Sequence, residues 1–103
     1  MKLSGDKKAR VKQHLFDIQQ GLCRYCGRRM NLNGPEKSKL LATIDHIVPL
    51  RRGGTWAKPN LILACSRCNN YKGCVIIPQW LWEDTQTLRD MFLNRKLNIL
   101  ETK

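Results

Sequence analysis

Two Cys-x-x-Cys pairs, Cys23-Arg24-Tyr25-Cys26 and Cys65-Ser66-Arg67-Cys68, constrain this chain more than any other feature of it. A two-residue spacer turns the backbone so that both thiolates of a pair reach one tetrahedral Zn²⁺ at about 2.3 Å, and two pairs complete the coordination. Gly27 follows Cys26 directly and suits the tight turn of such a knuckle. Disulfides and a redox dithiol are the competing uses of the same thiols. The N-terminal MKLSGDKKARVKQ lacks the apolar stretch of a signal peptide, which points to a cytoplasmic protein whose thiols stay reduced. Two separate pairs also exceed what a redox motif needs. Cys23, Cys26, Cys65 and Cys68 are therefore read as one structural zinc site, and the lone Cys74 as a small buried hydrophobe.

At 103 residues the chain is one domain, 1–103, in the size range where a metal often supplements a modest core. Its elements predict an α+β fold. Val11, Leu15, Ile18 and Leu22 recur at helical spacing, so an amphipathic helix is expected over about 7–20, stopped at Gly21, with Lys8, Arg10 and Lys12 free for solvent or phosphate. NLNGPEKS at 31–38 is turn chemistry; Leu40–Val48 then reads as a strand, and LILA at 61–64 as a short second one. A helix begins near Ser66, and another runs from Pro78 to about Arg95, with Trp80 and Trp82 as core or rim packing. No apolar run approaches the roughly 18 residues of a membrane span.

Nineteen Lys and Arg against eight Asp and Glu give a formal charge of +11, spread along the chain rather than confined to a tail. That is the footprint of a polyanion binder, because each phosphate neutralised releases condensed counterions. The gap between the cysteine pairs is wider than the 15–20 residues or so of a simple zinc ribbon. Near its middle stands Ile44-Asp45-His46-Ile47-Val48-Pro49-Leu50. Two ionisable neighbours in a β-prone apolar run cost desolvation energy unless they pair or react. Strand alternation would send Asp45 and His46 to opposite faces. Either the strand ends at Asp45, or the two groups work on either side of the backbone.

The order Asp45-His46, Gly53-Gly54, Asn60-Leu61 and Cys65-x-x-Cys68-Asn69-x-x-Lys72 resembles the HNH endonuclease family over about residues 23–73. The resemblance implies a ββα-metal (His-Me finger) unit, here framed by the four cysteines and flanked by N- and C-terminal helices. It implies His46 as general base and Asn60 as the residue that braces the loop and orients it. Asp45 and Asn69 become ligands of a catalytic divalent ion. Asn69 stands where the family name expects histidine, making this an H-N-N variant. Arg51, Arg52, Lys58, Arg67 and Lys72 are the cations expected to meet DNA.

The residue chemistry agrees. Phosphodiester hydrolysis needs an activated water, a clamp on the developing charge and help for the leaving oxygen. A histidine with an ordinary pKa near 6.5 is mostly neutral at pH 7 and can take a proton. Oxygen ligands suit Mg²⁺, with Mn²⁺ close behind. The expected activity is metal-dependent cleavage of DNA, double-stranded, by nicking or cutting both strands. The alternative is a zinc-ribbon nucleic-acid binder without catalysis, which would need the cysteines and the charge but not Asp45, His46, Asn60 and Asn69 in that order. Within nucleases, a chain of this size favours a phage setting near genome packaging, or a mobile element, with a bacterial or infected cell as host.

Overall fold

The computed structural model describes residues 4–97. Helix α1, Gly5–Ile18, begins earlier than its apolar spacing suggests because Ser4 caps it, its hydroxyl accepting from the Lys7 amide at 3.3 Å. It ends where Gln20 and Gly21 both take positive φ. The Gln19 side chain then docks the helix end on the sheet, donating to the Leu63 carbonyl (3.0 Å) and accepting from the Leu63 amide (2.8 Å). No residue of α1 is fully buried: Leu15 and Phe16 pack partly on the core, and Ile18 is 63% exposed.

The first cysteine knuckle follows, bracketed by a bridge between Leu22 and Arg29. Strand β1, Ala42–His46, and strand β2, Leu61–Cys65, pair antiparallel in a register that sets Asp45 opposite Ile62 and His46 opposite Leu61. The first strand is shorter than its β-prone composition suggests. Helix α2, Ser66–Lys72, leaves β2 without a linker and completes a ββα unit.

The single helix expected over 78–95 is two. Helix α3, Gln79–Trp82, stops before Asp84, whose carboxylate accepts from the Thr87 amide (3.2 Å) and hydroxyl (2.7 Å) and so starts α4, Thr85–Leu93. An N-cap inside an apolar periodicity overrides it, because the capping residue must leave helical geometry. Leu81, Leu88 and Phe92 from this pair close the core on Tyr25, Leu63 and the cysteines. Trp82 lies at the rim, its indole N–H donating to the Ile77 carbonyl at 3.2 Å, while Trp80 is 58% exposed rather than packed. Among the described residues no helix is long and apolar enough to cross a membrane.

Candidate active site and four-cysteine cluster

Cys23, Cys26, Cys65 and Cys68 are all buried, and their sulfurs lie within 4.8 Å of one another. A tetrahedral Zn–S₄ centre with 2.3 Å bonds has sulfur–sulfur edges of about 3.8 Å; the Cys26 and Cys65 sulfurs are 3.9 Å apart. The Cys65 amide also donates to Cys23 Sγ at 3.3 Å. Crowding sets the thiols against each other: hydrogen bonds from the Cys65 and Cys68 thiols pull the Cys23 thiol far down, while bonds to Cys23 and Cys65 push the Cys68 thiol up. Four thiolates would share so small a volume only around a cation, and the four residues could hold zinc.

β1 runs through His46, so the neighbouring side chains leave on opposite faces. Asp45 faces inward and is buried. One of its oxygens accepts from the Tyr25 hydroxyl and the other from the Lys72 ammonium at 3.2 Å. Burial first, then the charge of Asp45, raise the Tyr25 hydroxyl well above its ordinary pKa, so it stays a donor. Phe92 stacks on the Tyr25 ring at 4.1 Å and 5°, which is how the C-terminal helices reach this carboxylate. Lys72 also donates to the His46 carbonyl at 2.9 Å. The sequence places it among the cations that meet DNA, but its side chain is wholly buried, because α2 turns it under β1 onto the Asp45 carboxylate. Asn69, three residues earlier on α2, donates through its amide nitrogen to Thr43 Oγ1 (2.9 Å) and the Ile44 carbonyl (3.3 Å). Its carbonyl oxygen has no protein partner among the described residues. The neighbouring Asn70 is exposed, and among the described residues its side chain bonds only Ser66.

On the other face His46 packs perpendicular to Trp56, ring centroids 4.4 Å apart at 90°. Among the described residues Nε2 is buried with no hydrogen-bond partner, which leaves Nδ1 as the nitrogen that can reach water. Burial is the largest influence on this imidazole and lowers its pKa, against a raising effect of Asp45 and with smaller lowering effects of Lys72 and Lys8. Asn60 holds the intervening loop: its side chain accepts from the Val48 amide (2.8 Å) and donates to the carbonyls of Val48 (3.1 Å) and Thr55 (2.8 Å). Among the described residues its side chain makes no hydrogen bond to the His46 ring; through Thr55 it holds the segment that leads into Trp56, which packs on that ring. Gly54 lets the loop close this tightly, since a Cβ there would lie 1.7 Å from the Val48 carbonyl oxygen.

A profile of the HNH endonuclease family matches residues 23–74, half of the chain, from the first zinc-type cysteine to just beyond α2. The chain belongs to the HNH endonuclease family. No curated protein sequence matches it. The family acts on DNA as a nuclease, which accounts for the basic composition.

The HNH region displays its cations unevenly. Arg51, Arg52 and Lys58 are exposed on two short 3₁₀ turns, Leu50–Arg52 and Lys58–Asn60, that flank the Trp56 loop. Arg67 is half-buried in the first turn of α2. Cys74 is exposed, not buried, because it follows the Gly73 cap of α2 into a surface loop, where its carbonyl accepts from Arg52 at 3.1 Å. Sequence reasoning passed over Tyr25 and Trp56. Tyr25 had a usable signal, an aromatic enclosed by two metal-type cysteines; Trp56, in a loop with no periodicity, had none.

Proposed function

We infer that this HNH family member is a metal-dependent DNA endonuclease with His46 as general base. The observation that carries the reading is the division of labour at one peptide bond. A neutral, partly desolvated imidazole leaves one face of β1, while a buried carboxylate with Asn69 beside its strand lies on the other. His46 Nδ1 takes the proton of the attacking water. Trp56 fixes the ring by packing and keeps bulk water off Nε2, and Asn60 holds Trp56 there through the loop.

Asp45 and Asn69 supply hard oxygen donors, one carboxylate with lone pairs beyond those used by Tyr25 and Lys72 and one amide carbonyl with no protein partner, a set that suits Mg²⁺ or Mn²⁺ with several waters retained. Such an ion would provide charge stabilisation at the scissile phosphate and leaving oxygen. Tyr25 and Lys72 orient the carboxylate, and the exposed Arg51, Arg52 and Lys58 meet the phosphate backbone. The four-cysteine cluster carries a structural Zn²⁺ that joins the two knuckles.

The test is supercoiled plasmid incubated with zinc-loaded protein and added Mg²⁺ or Mn²⁺, beside His46→Ala. Wild type should nick or linearise the plasmid. The variant should bind DNA as wild type does and leave it intact, since a general base contributes rate rather than ground-state affinity. Cleavage by His46→Ala at near wild-type rate would sink the mechanism, and binding without cleavage by wild type would return the chain to a nucleic-acid-binding role.

A further inference from the structure

The apolar stripe of α1 is only partly spent on the core, where Leu15 and Phe16 pack. Val11, Leu15 and Ile18 also form the floor of an open groove of about 570 Å³, completed across the gap by Leu61 and Trp56. Its volume is in the range of sites for small organic ligands. Lys7, Arg10 and Lys58 stand along its sides, with no acidic side chain among the described residues that line it. Lys8 adds a further ammonium 5.3 Å from the centroid of the Trp56 ring. Trp56 belongs to both places: it walls the groove and touches His46.

A flat aromatic wall, an aliphatic floor and a purely cationic surround match one chemistry, an unstacked nucleobase with phosphates on either side. An acidic peptide would answer the cations but leave an apolar floor uncovered, and an apolar helix would bury three cations without partners. We propose that this groove is a nucleotide subsite, taking one unpaired nucleotide of the DNA with its base against Trp56, Val11, Leu15 and Ile18 and its flanking phosphates on Lys7, Arg10 and Lys58. The proposal rests on the DNA-cleaving reading for its choice of polyanion. It adds that the preferred substrate has a base out of the stack beside the point of cleavage. Paired duplex offers the groove only its sugar-phosphate edge, whereas a bulge, flap or frayed end supplies the base.

The experiment separates this from the nuclease reading by measuring binding with no added Mg²⁺ or Mn²⁺. Zinc-loaded protein is titrated into a fluorescently labelled duplex, either fully paired or carrying one extra unpaired nucleotide, and anisotropy is followed. Wild type should bind the bulged duplex at least about tenfold more tightly, the scale of one base–aromatic stacking contact. Ile18→Ser, at an exposed position whose loss should leave folding intact, should bring that ratio towards one without changing affinity for the paired duplex. Arg10→Gln should weaken the bulged duplex more than the paired one. Equal affinity of wild type for both duplexes, or a ratio that Ile18→Ser does not alter, overturns the proposal even if plasmid is cleaved. So does a concentration-dependent dimer that Ile18→Ser disperses, because a second copy would then cover the groove. A preserved bulge preference with no cleavage of plasmid supports the subsite while removing the nuclease reading.

Discussion

Lys72→Met removes the ammonium from beneath β1 and leaves the Asp45 carboxylate buried with the Tyr25 hydroxyl as its remaining side-chain donor. The methionine fills similar volume, so the perturbation is electrostatic rather than a cavity. Removing one partner of a buried ion pair costs about 3–5 kcal/mol, because the other charge is stranded away from water. The retained Tyr25 bond places the loss at the lower end, about 3 kcal/mol. For a domain of this size about 4–8 °C of Tm accompanies each kcal/mol, so Tm should fall by roughly 12–24 °C. Urea unfolding followed by tryptophan fluorescence, with zinc content held equal, gives the free energy directly. Adding Asp45→Asn should restore part of the loss, since an amide of the same shape carries no stranded charge, and the two substitutions should be non-additive by ~1–3 kcal/mol. A Lys72→Met protein within about 1 kcal/mol of wild type, or a strictly additive double variant, would refute the argument that this pair is a buried electrostatic unit.

Purified protein should hold about one Zn²⁺ by elemental analysis, and Cys26→Ala should lose both the metal and cooperative unfolding. Gly54→Ala forces a methyl group onto the Val48 carbonyl and should destabilise by ~1–3 kcal/mol, with hydrogen exchange rising first in the loop between the strands and not in α4. Asn69→Ala should raise the Mg²⁺ concentration needed for cleavage, while Asn70→Ala, at an exposed position, should do much less; the comparison of rate against metal concentration decides between the two asparagines. Asn69→His should shift preference towards Mn²⁺, Co²⁺ or Ni²⁺, which accept imidazole.

What the sequence made legible was local or fixed by spacing. Cys23, Cys26, Cys65 and Cys68 follow from two-residue spacers, and the two strands follow from short β-prone apolar runs bounded by turn residues. Long-range partners were another matter. Lys72 looked like a surface cation because lysine is rarely buried; only the packing of α2 under β1 shows that Asp45 claims it. Tyr25 reaches Asp45 because the knuckle fold carries it there, which no periodicity encodes. The amphipathic signal of α1 was real, yet amphipathicity states that a face is apolar and not that the chain itself covers it. The break at Asp84 was readable in principle from its cap to Thr87, but the apolar spacing of 81, 88 and 92 continued through it.

The two faces of the peptide bond between Asp45 and His46 are held by different devices. Tyr25 lies between two cysteines of the cluster, and Lys72 and Asn69 follow the fourth on α2, so both elements that hold Asp45 are joined by whatever metal the sulfurs bind. The His46 face is held by Asn60, through Val48, Thr55 and Trp56, without any cysteine. Damage to the cluster should therefore loosen the carboxylate side first, whereas damage to Asn60 should free the imidazole and the groove wall while Asp45 stays paired. A small domain with little core would gain from this separation, because a side tied by a metal would anchor the strand while the loop side could adjust to the proposed nucleotide without unmaking it.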